Sequence, residues 1–163
     1  MGRYRARSDR SRRRQLDDQG AAVVEFALVA PLLVLLIFGI FEFGFLFGQY
    51  LDVRHGAREA GRLASVNYNP DDETNATAQA DDLIADACER MDLADDVSIR
   101  LSLVDTGTDG RDAGEFAVVR VEAPAAQITG FFAPVIDPIV LDSEIEIRLE
   151  QEATWAAPYT GNC

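Results

Sequence analysis

The sequence predicts an α+β protein in which a long N-terminal transmembrane helix is followed by a small head of one helix and a three-stranded antiparallel sheet. Three observations predict it. Residues 20–48 (GAAVVEFALVAPLLVLLIFGIFEFGFLFG) stay apolar for the length of a bilayer span. Residues 74–92 repeat apolar side chains at spacings of three and four, the period of an amphipathic helix. Residues 97–104, 116–123 and 140–150 read as short strands set off by turn-forming segments, and the first and third alternate apolar with polar residues.

The long helix comes first. Between Phe26 and Phe41 lie sixteen residues without a charge, counting both ends. A span needs roughly 20 mostly apolar residues at about 1.5 Å each. Glu25 and Glu42 are seventeen positions apart, about 26 Å along a helix. They bracket a hydrocarbon core of about 30 Å and do not sit at its centre. The expected span is 21–48. Residues 1–20 form a basic leader, expected to be disordered, with seven arginines against Asp9, Asp17 and Asp18. From Pro70 onward, five arginines face twenty-one acidic residues. A Lys/Arg excess beside a span stays cytoplasmic, so the leader is expected inside and the acidic head, 67–163, outside. Arg54, Arg58 and Arg62 lie on the outer side and reduce this contrast without reversing it.

A cationic leader, then Gly20, then Glu25 five residues into a long apolar helix form the pattern of a type IV prepilin. A membrane peptidase cuts such chains after the glycine, here at Gly20–Ala21, and leaves the helix attached. Secretory cleavage is a poor alternative, because the apolar region is too long and no good small-residue site follows it. In the pilin reading, Glu25 pairs with the new amine of a neighbouring subunit's Ala21 and sets subunit registration. The plain alternative is an interfacial carboxylate reaching for headgroups. Pro31 removes the hydrogen bond to the Ala27 carbonyl and is expected to kink or loosen the helix. Gly44 and Gly48 have the G-x-x-x-G spacing of close helix contacts. Residues 49–66 continue the helix as a stem, with Arg54, Arg58 and Arg62 at four-residue intervals and Gly56, Ala57, Ala60, Gly61 and Ala64 as a small-residue side.

The combination GAAVVEFALVAPLL, an apolar run closing in FEFG, and AREAGRLAS resembles the TadE-like family, prepilin-like minor subunits of tight-adherence (Flp) pilus systems. The resemblance covers about a quarter of the chain, roughly 20–65. It implies processing after Gly20 with Ala21 as the new terminus. It also implies partners: a prepilin peptidase, the major pilin, other minor pilin-like subunits and an inner-membrane assembly platform.

Beyond the stem, 67–73 (NYNPDDE) reads as a turn. Leu83, Ile84, Ala87, Cys88 and Met91 share one face of the 74–92 helix. Residues 105–115 form a turn-rich hairpin loop whose aspartates miss the EF-hand spacing. Residues 124–138 are a longer connection in which Phe131 and Phe132 are either core or partner contacts, and 151–163 is a tail carrying Trp155 and Tyr159. The only two cysteines, Cys88 and Cys163, both fall on the exported side, which suggests a disulfide; two free thiols are the alternative.

The net charge of −13 averages a basic leader and an acidic body. Phosphate binding needs clustered Lys/Arg, and the head is acidic, so no nucleic acid is expected. There is no nucleophile–base set, no phosphate loop and a single histidine, His55, read as a solvated helix residue. No enzyme activity, cofactor or metal is expected. The expected role is assembly: a minor pilin or pseudopilin held in the cytoplasmic membrane by one pass, or incorporated into a pilus. The alternative is a permanently anchored extracytoplasmic binding module.

Overall fold

Helix α1 runs over Ser8–Ser65, far past the point where the apolar run ends. A computed structural model describes residues 8–104, 110–137 and 139–163, with only the backbone described for 8–19. After α1 come α2 (Ala76–Cys88), β1 (Ser98–Leu103), β2 (Phe116–Pro124), the short α3 (Ala133–Ile136), β3 (Val140–Arg148) and β4 (Tyr159–Asn162). The architecture is α+β, as expected, with four strands among the described residues and not three. The described chain divides after Phe41 into two units, and the second, Glu42–Cys163, contains the head.

Two expectations are corrected at the ends of elements. The leader was expected to be disordered, yet helix begins at Ser8, inside it. From Ser8 to Gln19 there is neither glycine nor proline, and arginine, glutamine and leucine are good helix formers. The segment 151–163 was read as a tail, yet Tyr159–Asn162 is strand β4. Residues 1–7 of the leader, 105–109 of the hairpin loop and residue 138 lie outside the described residues.

The strands pair antiparallel in the order β3-β2-β1-β4. The alternation read from sequence puts Ile99 and Leu101 of β1, with Ala117, Val119, Val121 and Ala123 of β2, on a buried face. Against them stands the small-residue side of α1: Val53, Ala57, Ala60, Leu63 and Ala64 are all buried. Gly61 is part of this contact, since a Cβ there would stand 2.5 Å from Ile145 Cδ1 and 3.0 Å from Ile147 Cγ2. Small residues let the helix axis approach the sheet; larger ones would overpack it.

Helix α2 starts at Asn75, whose side chain accepts from Thr77 N–H at 2.9 Å. It buries Gln79, Ala80, Leu83, Ile84 and Ala87. Cys88, at its end, is bonded to Cys163 just beyond β4. The Tyr159 hydroxyl donates to Asp81 Oδ1 at 2.5 Å, a second tie between β4 and α2.

The end of α1 meets the segment between β3 and β4. Asn67 has φ 53°, the left-handed conformation that closes a helix. Tyr68 N–H donates to Leu63 O at 3.0 Å and Asn67 N–H to Ala64 O at 3.2 Å, the paired bonds of a Schellman motif. Donors also come from far away in sequence: Glu150 N–H reaches Ser65 O at 2.8 Å, and Trp155 Nε1–H is a second donor to Ala64 O at 3.2 Å. The side chain of Asn67 accepts from Gln79 Nε2 and from Thr154, which also donates to Gln79 Oε1 at 2.7 Å. Gln79 is buried, and this network satisfies its amide.

On the outer face of the stem, Arg62 bonds Glu59 at 2.6 Å, and Arg90 stands 3.9 Å away. The Arg62 hydrogen bond holds the Glu59 carboxyl below its ordinary value. The pair therefore adds stability above the ordinary carboxylate range and loses it as the pH falls through the lowered folded value. Arg62 is largely exposed, so the expected loss on Glu59→Gln is under about 1 kcal/mol at neutral pH. Urea midpoints of the two proteins should converge at acid pH; a gap that stays constant would refute this assignment.

Candidate functional site

Two stretches of α1 are candidates, each within its own unit. In the first, the side chains from Gly20 to Phe41 are exposed, apart from the half-buried Ala30 and Gly39. Val23, Phe26, Leu28 and Leu32 are examples of its bare apolar surface. Among the described residues one helix is long and apolar enough to cross a membrane, and it is this one. An isolated helix with apolar residues on all sides needs an apolar solvent.

Gly20, Ala21 and Glu25 all lie within α1 and all are exposed. Nothing stands within 4 Å of where a Gly20 Cβ would be. Ala21 and Glu25 are four residues apart and so share a helix face. Pro31 lies inside α1, and the helix continues past it to Ser65; the missing N–H weakens one turn without ending the helix.

The second stretch begins at Glu42, and here the structure shows what sequence reasoning missed. Glu42, expected with Glu25 to bracket the hydrocarbon core, is buried against the loop after β2. Its carboxylate accepts from Ile128 N–H at 2.9 Å, Thr129 N–H at 3.2 Å and the Thr129 hydroxyl at 2.6 Å. Seven residues on, on the same helix face, Gln49 is also buried. Its amide donates to Ala126 O at 2.9 Å and accepts from Ala126 N–H at 2.8 Å. One turn further, Asp52 accepts from Leu93 N–H and Ala94 N–H at 2.8 and 3.1 Å. The available signal was the helical spacing of Glu42, Gln49, Val53, Ala57, Ala60 and Ala64, which marks one face continuing from the core toward the span.

The cysteines, His55 and the phenylalanine pair also have definite places. Cys88 and Cys163 form a disulfide. His55 is exposed on the stem. Of the phenylalanine pair, Phe132 is half-buried against the core, 5.9 Å from the Phe43 ring, and Phe131 is exposed. Among the described residues no group of three or more His, Cys, Asp or Glu side chains is placed to hold a metal.

The class these features define is an α+β protein with a long stem and a single candidate membrane span. Residues 20–62 match the family model described as TadE-like protein, the family that the residues themselves resemble. The matched segment lies wholly within α1, from the first bare residues through most of the stem. No curated protein and no solved structure matches the chain.

Proposed function

We propose that the protein is a TadE-like minor pilin or pseudopilin that takes part, without enzymatic activity, in assembling a tight-adherence (Flp) pilus. The observation that carries this is the bare apolar helix with Gly20, Ala21 and Glu25 at its entry, inside the segment matched to the TadE-like family. In this reading the helix anchors the chain in the cytoplasmic membrane with the basic leader inside and the head outside. A prepilin peptidase cuts between Gly20 and Ala21. Glu25 then pairs with the Ala21 amine of a neighbouring subunit; in lipid, removing either partner strands a charge, which gives the pair a large role in registration. The major pilin, sibling minor subunits and the assembly platform are the partners.

Intact mass and N-terminal sequence of the membrane-extracted protein test the processing step. A chain beginning at Ala21 is expected; one retaining the arginine leader would favour a permanently anchored binding module. Glu25→Ala is expected to leave the protein in the membrane and abolish pilus assembly. Normal piliation in that variant would overturn the assembly role of this carboxylate.

A further inference from the structure

We propose that the loop from Ala125 to Ile136 is a membrane-contacting element, inserting Phe131, Val135 and Ile128 into the interface of the outer leaflet. The proposal rests on the membrane-anchored reading above and adds to it a second point of lipid contact.

Charge is the first argument. Residues 123–136 are fourteen consecutive positions without a charged side chain, in a head where twenty-one acidic residues follow Pro70. An acidic loop would be repelled by anionic headgroups; this one is neutral. Exposure is the second. Phe131, Ile128 and Val135 are 61%, 59% and 58% exposed, and nearby on α1 Phe43 and Phe47 are 53% and 61% exposed. Gly130, with φ 69°, turns the chain so that Phe132 packs toward Phe43 and Phe131 remains outside, edge-on to Phe132 at 5.1 Å. Rings with one anchored and one bare neighbour suit an interface between water and acyl chains.

Attachment is the third argument, and it selects lipid as the occupant. Glu42 directly follows Phe41, the last residue of the bare apolar unit. Glu42 and Gln49 make five hydrogen bonds to Ala126, Ile128 and Thr129. The loop is thus fixed to the first two turns of helix after that unit, where Phe43 and Phe47 are exposed as well. The same bonds solve a problem for the helix. A carboxylate at the edge of the hydrocarbon is costly unless its lone pairs are filled. The loop fills them with two backbone N–H groups and a hydroxyl.

The test uses the full chain in vesicles of phosphatidylcholine and phosphatidylglycerol. The native cysteines are paired, so one introduced thiol, labelled without reductant, reports a single position. Phe131→Cys and Val135→Cys probe the loop, Leu33→Cys the span and Asp142→Cys the exposed face of β3. Fluorescence quenching by acyl-brominated lipid and by aqueous iodide is then compared. Several-fold stronger lipid quenching at 131 and 135 than at 142, with weak iodide quenching, is the expected result. Loop labels as open to iodide as 142, with 33 still quenched by lipid, would overturn the proposal and leave the anchor intact. A label at 33 open to iodide would remove the anchored reading and the proposal together. Loop labels shielded from both quenchers would overturn it in favour of a protein cover, a second copy or another subunit.

Discussion

Trp155→Ala is expected to lower the stability of the head by about 3–5 kcal/mol, the usual cost of emptying a fully buried aromatic site. Trp155 is fully buried and the largest side chain so enclosed. Its Nε1–H caps the Ala64 carbonyl in the last turn of α1, and the backbone around it is held by Arg111, which donates to the Ala153 and Trp155 carbonyls at 3.1 and 2.9 Å. The substitution therefore opens a cavity and removes one of the two donors to the Ala64 carbonyl, leaving Asn67 N–H. Domains are commonly stable by only about 5–15 kcal/mol, so the variant should sit near the edge of folding. Urea denaturation of the detergent-extracted chain measures the loss. Trp155→Phe keeps most of the volume and should cost distinctly less; equal losses for the two variants would argue against a packing role.

Removing the disulfide by Cys88→Ser with Cys163→Ser is expected to cost about 2–5 kcal/mol. The bond closes a loop with a sequence separation of 75, for which chain entropy alone predicts about 4 kcal/mol. The effect should concentrate at β4, which has four residues and, among the described residues, pairs only with β1. Cys163 N–H donates to Val97 O at 2.9 Å, extending that pairing by one position. Comparing oxidised and reduced wild-type protein in urea checks this without mutation. Coincident transitions would mean that β4 is held by its other contacts.

Most of the fold could be read from period and composition, because local rules governed those parts. The uncharged run from 26 to 41, the alternation in β1 and β3 and the apolar face of α2 are patterns that only one placement satisfies. Strand β4 was missed because it has only four residues, of which Gly161 and Asn162 disfavour strands; it pairs with β1 along that strand's edge. Trp155 was left in a tail because its burial depends on residues as distant as Ala64. Of the candidate site, Gly20, Ala21 and Glu25 were legible as a motif. The clasp at Glu42 was not, since its partners lie 86 and 87 residues away and a carboxylate near an apolar run reads first as a boundary.

Asn67 ends α1 with its backbone and, with its side chain, meets Gln79 of α2 and Thr154 before β4. Helix ends commonly fray on their own, because nothing else depends on the final turn. Here unwinding that turn would also strip partners from a buried amide and from the strap that carries Trp155. The upper end of the stem thus has no private melting: it opens only together with the junction of α1, α2 and the β3–β4 strap, which makes one asparagine the point where local and global unfolding become the same event.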